Sequence, residues 1–259
     1  MTSETLLLRV SGLTHRYGDL TACADIAFDL RPGEVLGVVG ESGSGKTTLL
    51  NCLSGRLRPT AGMIEYDMRG RGLAEIYALG EAERRLLMRT DWGVVHQNPR
   101  DGLRLGASAG GNVAERLIAV GERRYGRARE AASDWMRRVE LDPARIDQRP
   151  STFSGGMQQR LQIARNLVTH PRLVFMDEPT SGLDVSVQAR LLDLLRGLVR
   201  DLGLACILVT HDLGVARLLS HRLMVMRAGA AVEQGLTDQV LDDPQHPYTQ
   251  LLVSSILPV

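Results

Sequence analysis

Gly40-Glu41-Ser42-Gly43-Ser44-Gly45-Lys46-Thr47-Thr48 has the form G-x-x-x-x-G-K-T, and its flanks give it a structural context. Glu34-Val35-Leu36-Gly37-Val38-Val39 before it is an apolar run of strand length. Leu49-Leu50-Asn51-Cys52-Leu53 after it carries apolar residues at helical spacing. Strand, glycine loop and helix in that order predict a phosphate-binding loop. Glycines allow successive backbone N–H groups to turn inward onto phosphate oxygens, and the helix adds its positive N-terminal end. Lys46 is expected to reach the outer phosphates, and the Thr47 hydroxyl to hold Mg²⁺.

The basic residues sharpen this reading. Of 31 Lys and Arg residues only one is Lys, and it is Lys46. A compact ammonium fits inside a phosphate cradle, whereas a broad planar guanidinium does not.

The 259 residues are enough to bury a full core, as one large domain or a domain with an insertion. Hydrophobic residues at 44% and charged residues at 24% suit a soluble globular protein, and a net charge of +1 gives no reason to expect a nucleic-acid partner. Cys23, Cys52 and Cys206 show no paired spacing, so reduced thiols and a cytoplasmic location are expected. Met1 to Leu8 lacks the form of a signal peptide, and no apolar run approaches the roughly 20 residues that cross a bilayer. Work at a membrane would require another subunit.

Upstream of the loop, Leu6 to Val10 predicts a first strand, and His15-Arg16-Tyr17-Gly18 ends in a turn. Tyr17 is either an edge aromatic packed on a sheet or a ring offered to a base. Ile26-Ala27-Phe28-Asp29-Leu30 alternates like an antiparallel strand, and Arg31-Pro32-Gly33-Glu34 turns into the strand before the loop. Downstream, Met63 to Tyr66 predicts a short strand and Glu81 to Met88 a charged helix. Gly93-Val94-Val95-His96-Gln97-Asn98-Pro99 reads as a strand emptying into a loop, where the Gln97 amide offers an oxygen to Mg²⁺ and a nitrogen to water.

From about 98 to 165 strand patterns give way to arginine-rich helices, at Asn112 to Val120 and Arg127 to Val139. The arginines 116, 123, 124, 127, 129, 137 and 138 have acidic companions, which predicts a solvated helix face rather than a nucleic-acid surface. Ser154-Gly155-Gly156-Met157 then opens an amphipathic helix, a second candidate anion site. Leu173-Val174-Phe175-Met176 is a buried strand ending in Asp177, a second carboxylate for Mg²⁺, and Glu178, placed toward an attacking water. Ser181-Gly182-Leu183-Asp184 turns into a helix of roughly 185 to 201. Ala205 to Thr210 is another buried strand, delivering His211. Ligands lie at the carboxyl ends of parallel strands, so Lys46, Asp177, Glu178 and His211 are expected at one edge.

In this order Tyr17, Gly40 to Thr48, Gln97, Ser154 to Gln158, Asp177-Glu178, Ser181 to Asp184 and His211 resemble the ATP-binding cassette ATPases over nearly the whole chain. The resemblance implies an α/β P-loop NTPase core, its parallel sheet flanked by helices, with an antiparallel β subdomain and a helical insertion. It divides a single cassette, 1–259, into a nucleotide-binding core (1–97 and 166–259), a helical subdomain (about 98–165) and a tail (about 243–259). It implies ATP and Mg²⁺ as ligands, with Tyr17, residues 40–48, Ser154, Gly155, Gly156, Met157 and Asp184 on the nucleotide. Thr47, Gln97 and Asp177 would serve the metal. Glu178 would act as general base, His211 would position water and γ-phosphate, and Gln97 would report the metal site to a partner. Two copies would sandwich two ATP molecules head to tail. One departure stands out: the family usually has Leu-Ser-Gly-Gly-Gln where this chain has Phe153-Ser154-Gly155-Gly156-Met157.

Two narrower resemblances point to different partners. Asp243-Pro244-Gln245-His246-Pro247-Tyr248-Thr249-Gln250-Leu251-Leu252 is similar to cassettes of oligopeptide and nickel importers, which serve a membrane permease. Trp92 to Gln97, Asp101 to Arg104, Ser108 to Asn112 and Phe153 to His170 look like the cassette subunit of the carbon–phosphorus lyase system, which implies a soluble lyase core and phosphonate breakdown. The second is favoured, because the section after Gln97 is where a cassette meets its partner.

Overall fold

A computed structural model describes residues 6–255. Of the N-terminal stretch discussed above, residues 1–5 lie outside it, as do residues 256–259 of the tail. The strands are β1 (Leu8–Tyr17), β2 (Leu20–Leu30), β3 (Val35–Val39), β4 (Ala61–Met68), β5 (Gly72–Glu75), β6 (Trp92–Val95), β7 (Leu173–Asp177), β8 (Ala205–Val209), β9 (Arg222–Arg227) and β10 (Ala230–Leu236). The helices are α1 (Lys46–Leu53), α2 (Glu81–Thr90), α3 (Pro99–Gly102), α4 (Ala109–Ala119), α5 (Tyr125–Arg138), α6 (Gly155–Leu167), α7 (Val185–Leu202), α8 (Leu213–Leu219), α9 (Thr237–Asp242) and α10 (Pro247–Ser254). The chain forms two compact units, one from the residues up to Arg84 and from Gly203 onward, the other from Arg85–Leu202.

The first unit contains two sheets. β2-β1-β4-β5 is antiparallel throughout. The alternation read in β2 puts Ile26, Phe28 and Leu30 in the core while Ala27 faces solvent. In the other sheet the order is β10-β9-β3-β8, with β3 parallel to β8 and β9, and β10 added antiparallel at the edge. All five residues of both β3 and β8 are buried, as a strand covered on two faces requires. One flank packs Leu213 and Ala216 of α8, Val240 and Leu241 of α9 and Tyr248 of α10 against Val39, Leu223 and Val225.

The second unit holds the parallel pair β6 and β7 and helices α3 to α7. The apolar spacing of α5 is reproduced by its buried Ala128, Ala132, Trp135 and Met136, and its arginines 127, 137 and 138 face outward. Arg137 pairs with Asp134, and Arg129 pairs with Asp147 through two bonds of 2.6 and 2.7 Å. The solvated face expected for this run is therefore present, with one exception. Arg116 turns inward, donating to the carbonyls of Met88, Arg89 and Trp92 and to Asn166 Oδ1. Burial, with Arg165 nearby, pushes its pKa down to about 10. The fold is α/β, with parallel strands flanked by helices, an antiparallel β sheet and a helical section. Among the described residues no helix is long and apolar enough to cross a membrane.

Candidate functional site

In the first unit, β3 ends directly in the glycine loop. Gly40, Gly43 and Gly45 have φ of 147°, 81° and 101°, in the region L side chains avoid. A Cβ at Gly40 would stand 2.2 Å from the Met226 carbonyl oxygen, and one at Gly45 2.0 Å from that of Ala22. The loop is thus wedged between β9 and β2 at two points where only glycine fits. Gly45 is the N-cap of α1, so Lys46 is the first helical residue. Lys46 is only 7% exposed, and its Nζ donates to the carbonyls of Gly40 and Glu41, each at 2.7 Å. Ser44 Oγ is buried without a hydrogen-bond partner. A buried ammonium, an orphaned hydroxyl and a helix N-terminus, beside a loop that excludes side chains at Gly40 and Gly45, fit a phosphate group. Glu41, Ser42 and Thr47 are exposed, and Thr48 is half-buried.

The same unit positions His211. β8 runs parallel to β3 with Val209 opposite Val38, and the Thr210 N–H donates to the Val38 carbonyl at 3.1 Å. His211 therefore leaves the sheet at the end where the glycine loop begins, and it is exposed. Its neighbour Asp212 caps α8, Oδ1 accepting from the N–H groups of Gly214 and Val215. Tyr17 closes β1 with its ring 51% exposed and edge-on to His15, so it is not packed away into the sheet.

The second unit carries the remaining candidates at the ends of its own parallel pair. Val95 lies opposite Met176, so Gln97 and the Asp177-Glu178 pair emerge together. Gln97 Nε2 donates to Ser181 Oγ at 3.2 Å, joining the loop after β6 to the turn after β7. Glu178 has φ of 45°, a left-handed conformation that costs a non-glycine residue about 1–2 kcal/mol. Its carbonyl accepts from the Ser181 N–H at 3.1 Å, which closes the turn. Strain of this kind concentrates at functional positions. Asp184 is exposed, and its carbonyl accepts from the N–H groups of Val187 and Gln188 where α7 begins.

Ser154 caps α6, its hydroxyl accepting from the Met157 N–H at 3.4 Å. Gly156 is needed because a Cβ there would lie 2.6 Å from Val187 Cγ1. Further along α6, the buried Gln162 grips the peptide before Gln97. Its Oε1 accepts from the His96 N–H at 2.7 Å, and its Nε2 donates to the His96 carbonyl at 3.2 Å. The Ser-Gly-Gly helix and the Gln97 loop are thus hydrogen-bonded to each other within this unit.

Two residues near these candidates make contacts that no sequence pattern signals. Arg145 touches Phe153 and Met157, the two residues at which this motif differs from Leu-Ser-Gly-Gly-Gln. Its guanidinium lies 4.5 Å from the Phe153 ring centroid, and Nη1 donates to Met157 Sδ at 3.3 Å. No spacing signals this. Tyr248 donates no pattern either, yet its hydroxyl accepts from the Glu41 N–H at 3.1 Å. The only sign was the tail segment in which it lies.

A strand ending in a glycine loop around a buried lysine, with helix-opening Ser-Gly-Gly and a strand-terminal Asp-Glu pair, defines an ATP-binding cassette. The chain belongs to that family: the model described as ABC transporter matches residues 23–181. A second model, the C-terminal region of oligopeptide/dipeptide transporters, matches residues 232–259. The chain is 66% identical over 251 residues to the putative phosphonates utilization ATP-binding protein PhnK of Escherichia coli (strain K12), covering 97% of this chain and 98% of that protein. It is 38% identical to the dipeptide transport ATP-binding protein DppF of the same organism, over 89% of this chain and 67% of DppF. Among solved structures, the dimeric bacterial ABC transporter cassette MJ0796 superposes with a TM-score of 0.80 at 28% identity, covering 89% of this chain and 99% of that one. A post-hydrolysis MJ0796 dimer bound to ADP and Pi gives 0.79 at 27% identity, with the same coverage.

Proposed function

We propose that this chain hydrolyses ATP as a cassette that pairs with a second copy, and that the cycle serves phosphonate use together with a soluble carbon–phosphorus lyase core. The observation that carries the reading is the phosphate cradle, in which Lys46 is held by two carbonyls inside a loop that admits only glycine at positions 40 and 45. Lys46 supplies the fixed counter-charge, the loop N–H groups hold the phosphates, and Tyr17 offers its exposed ring to the adenine.

Water attacks the γ-phosphorus, the bond from phosphorus to the β–γ bridging oxygen breaks, and Glu178 takes the water's proton, leaving ADP and inorganic phosphate. His211 holds the water and the γ-phosphate in line. The hydroxyl of Thr47, the amide oxygen of Gln97 and the carboxylate of Asp177 are hard oxygen donors, the kind Mg²⁺ prefers. Bound there with the nucleotide, Mg²⁺ supplies charge neutralisation at the β- and γ-oxygens. Ser154, Gly155, Gly156, Met157 and Asp184 face the nucleotide of the second copy. The dimeric MJ0796 structures support this pairing, and three unpaired cysteines support a cytoplasmic setting.

The similarity to PhnK supports the phosphonate assignment. A second reading, the ATPase of a peptide-type importer, is favoured by the match at 232–259 and by the likeness to DppF. Tagged protein drawn without detergent from cells grown on a phosphonate as sole phosphorus source separates the two. The first reading expects soluble lyase subunits in the eluate, and loss of growth on phosphonate but not phosphate with Glu178→Gln. Recovery of a permease, or normal phosphonate growth of the variant, would move the assignment to the importer.

A further inference from the structure

The tail matched at 232–259 has no part in the chemistry above, although it is built around a contact with the phosphate loop. It starts in β10, where the Glu233 carboxylate accepts from the N–H groups of Gln245 and His246 at 2.8 and 3.0 Å. These two bonds fix the turn that leads into α10. His246 Nδ1 accepts from the Tyr248 N–H at 3.1 Å and caps the helix, with Pro247 at its first position. Tyr248 is thereby delivered in a fixed pose, 3% exposed, among Val39, Leu213, Val225, Val240 and Leu241. The Arg227 guanidinium sits 4.9 Å from its ring centroid.

At the tip of this arrangement the Tyr248 hydroxyl accepts from the Glu41 N–H. The Gly40–Glu41 segment is then held at three atoms. Lys46 Nζ takes both carbonyls, and Tyr248 takes the amide. The two lysine bonds are the ones an incoming phosphate competes for. The tyrosine bond is separate from these, because it pairs the Glu41 amide with a hydroxyl carried by α10. Tyr248 is buried by the packing of α10 against α8 and α9.

We propose that Tyr248 is a positioning residue of the phosphate loop: its hydroxyl anchors the Glu41 amide, so that the C-terminal helix sets the geometry in which the loop receives a nucleotide. The assignment rests on the ATP reading above and adds to it a purpose for the tail. Tyr248→Phe removes one oxygen and leaves the ring packing in place. The helix control is Leu251→Ala, since Leu251 is 64% exposed on the same helix.

The experiment combines amide hydrogen exchange on the nucleotide-free protein with ATP titration and turnover. Tyr248→Phe is expected to speed exchange in the peptide spanning Glu41 and to weaken ATP binding roughly two- to ten-fold, the worth of one hydrogen bond. KM for ATP should rise with kcat little changed, and Leu251→Ala should leave both readouts at the wild-type level. Unaltered exchange at Glu41 in Tyr248→Phe overturns the anchor whatever ATP does. Faster exchange with unaltered ATP affinity overturns its role in nucleotide binding. Failure of the wild-type protein to bind ATP at all would instead remove the ATP reading, and the nucleotide role with it, while the exchange result still decides the anchor.

Discussion

On the proposed roles, variants of Lys46 and Glu178 should separate binding from chemistry. Lys46→Ala removes the fixed counter-charge from the cradle, so calorimetric titration should find ATP binding weakened at least a hundred-fold, about 3 kcal/mol. Lys46→Arg should bind poorly as well, because a planar guanidinium cannot enter a loop closed by Gly40 and Gly45. Glu178→Gln keeps the shape and loses the base, so ATP should bind at wild-type affinity while turnover falls by about 10²–10⁴. Turnover within a few-fold of wild type would remove Glu178 from the role of base. The loop itself allows a stability test. Gly45→Ala brings a methyl within 2.0 Å of the Ala22 carbonyl at a left-handed φ, and urea denaturation should register a loss of about 3 kcal/mol.

At the scale of elements, Arg116 is the most exposed to test. Its guanidinium serves carbonyls at the end of α2 and in β6 and an amide of α6, so Arg116→Ala removes four hydrogen bonds, three of them part-buried. Stability should fall by about 2–4 kcal/mol, measured by urea denaturation, and Arg116→Lys should recover only part because an ammonium lacks the fork. Arg116 also shows where sequence reading fails. It sits in a run of arginines with acidic neighbours, and the inward turn of one member depends on carbonyls up to 28 positions away. Likewise Tyr248 meets Glu41 across 207 positions, which no local pattern encodes. By contrast β3, α1, β7, β8 and α7 were legible because buried strands are continuous apolar runs and both helices carry apolar residues at helical spacing. The strand β5 was not: Gly-Leu-Ala-Glu has weak strand preference, and it is held in the sheet by its pairing with β4. The four-residue α3, capped by Asn98, is too short for any periodicity.

For the molecule as a whole, the three thiols give a pH test. Burial pushes Cys23 up to about 11, and Cys52 and Cys206 up to about 12. Folded values above the unfolded ones mean that the native state retains protons the unfolded chain releases. Their contribution to stability is full below pH 9 and is lost as pH rises toward 12. Denaturation midpoints should therefore fall across that window, and a disulfide-exchange reagent at pH 8 should label no thiol until the chain unfolds. Flat stability from pH 9 to 11 would contradict the burial of these groups. The central claim, that ATP draws two copies together and is then hydrolysed, is tested most directly by light scattering of Glu178→Gln with ATP and Mg²⁺. The mass should double from the 28.4 kDa of one chain, and should return to one chain when Lys46→Ala is added. A Glu178→Gln chain that binds ATP and stays at the mass of one copy would contradict it.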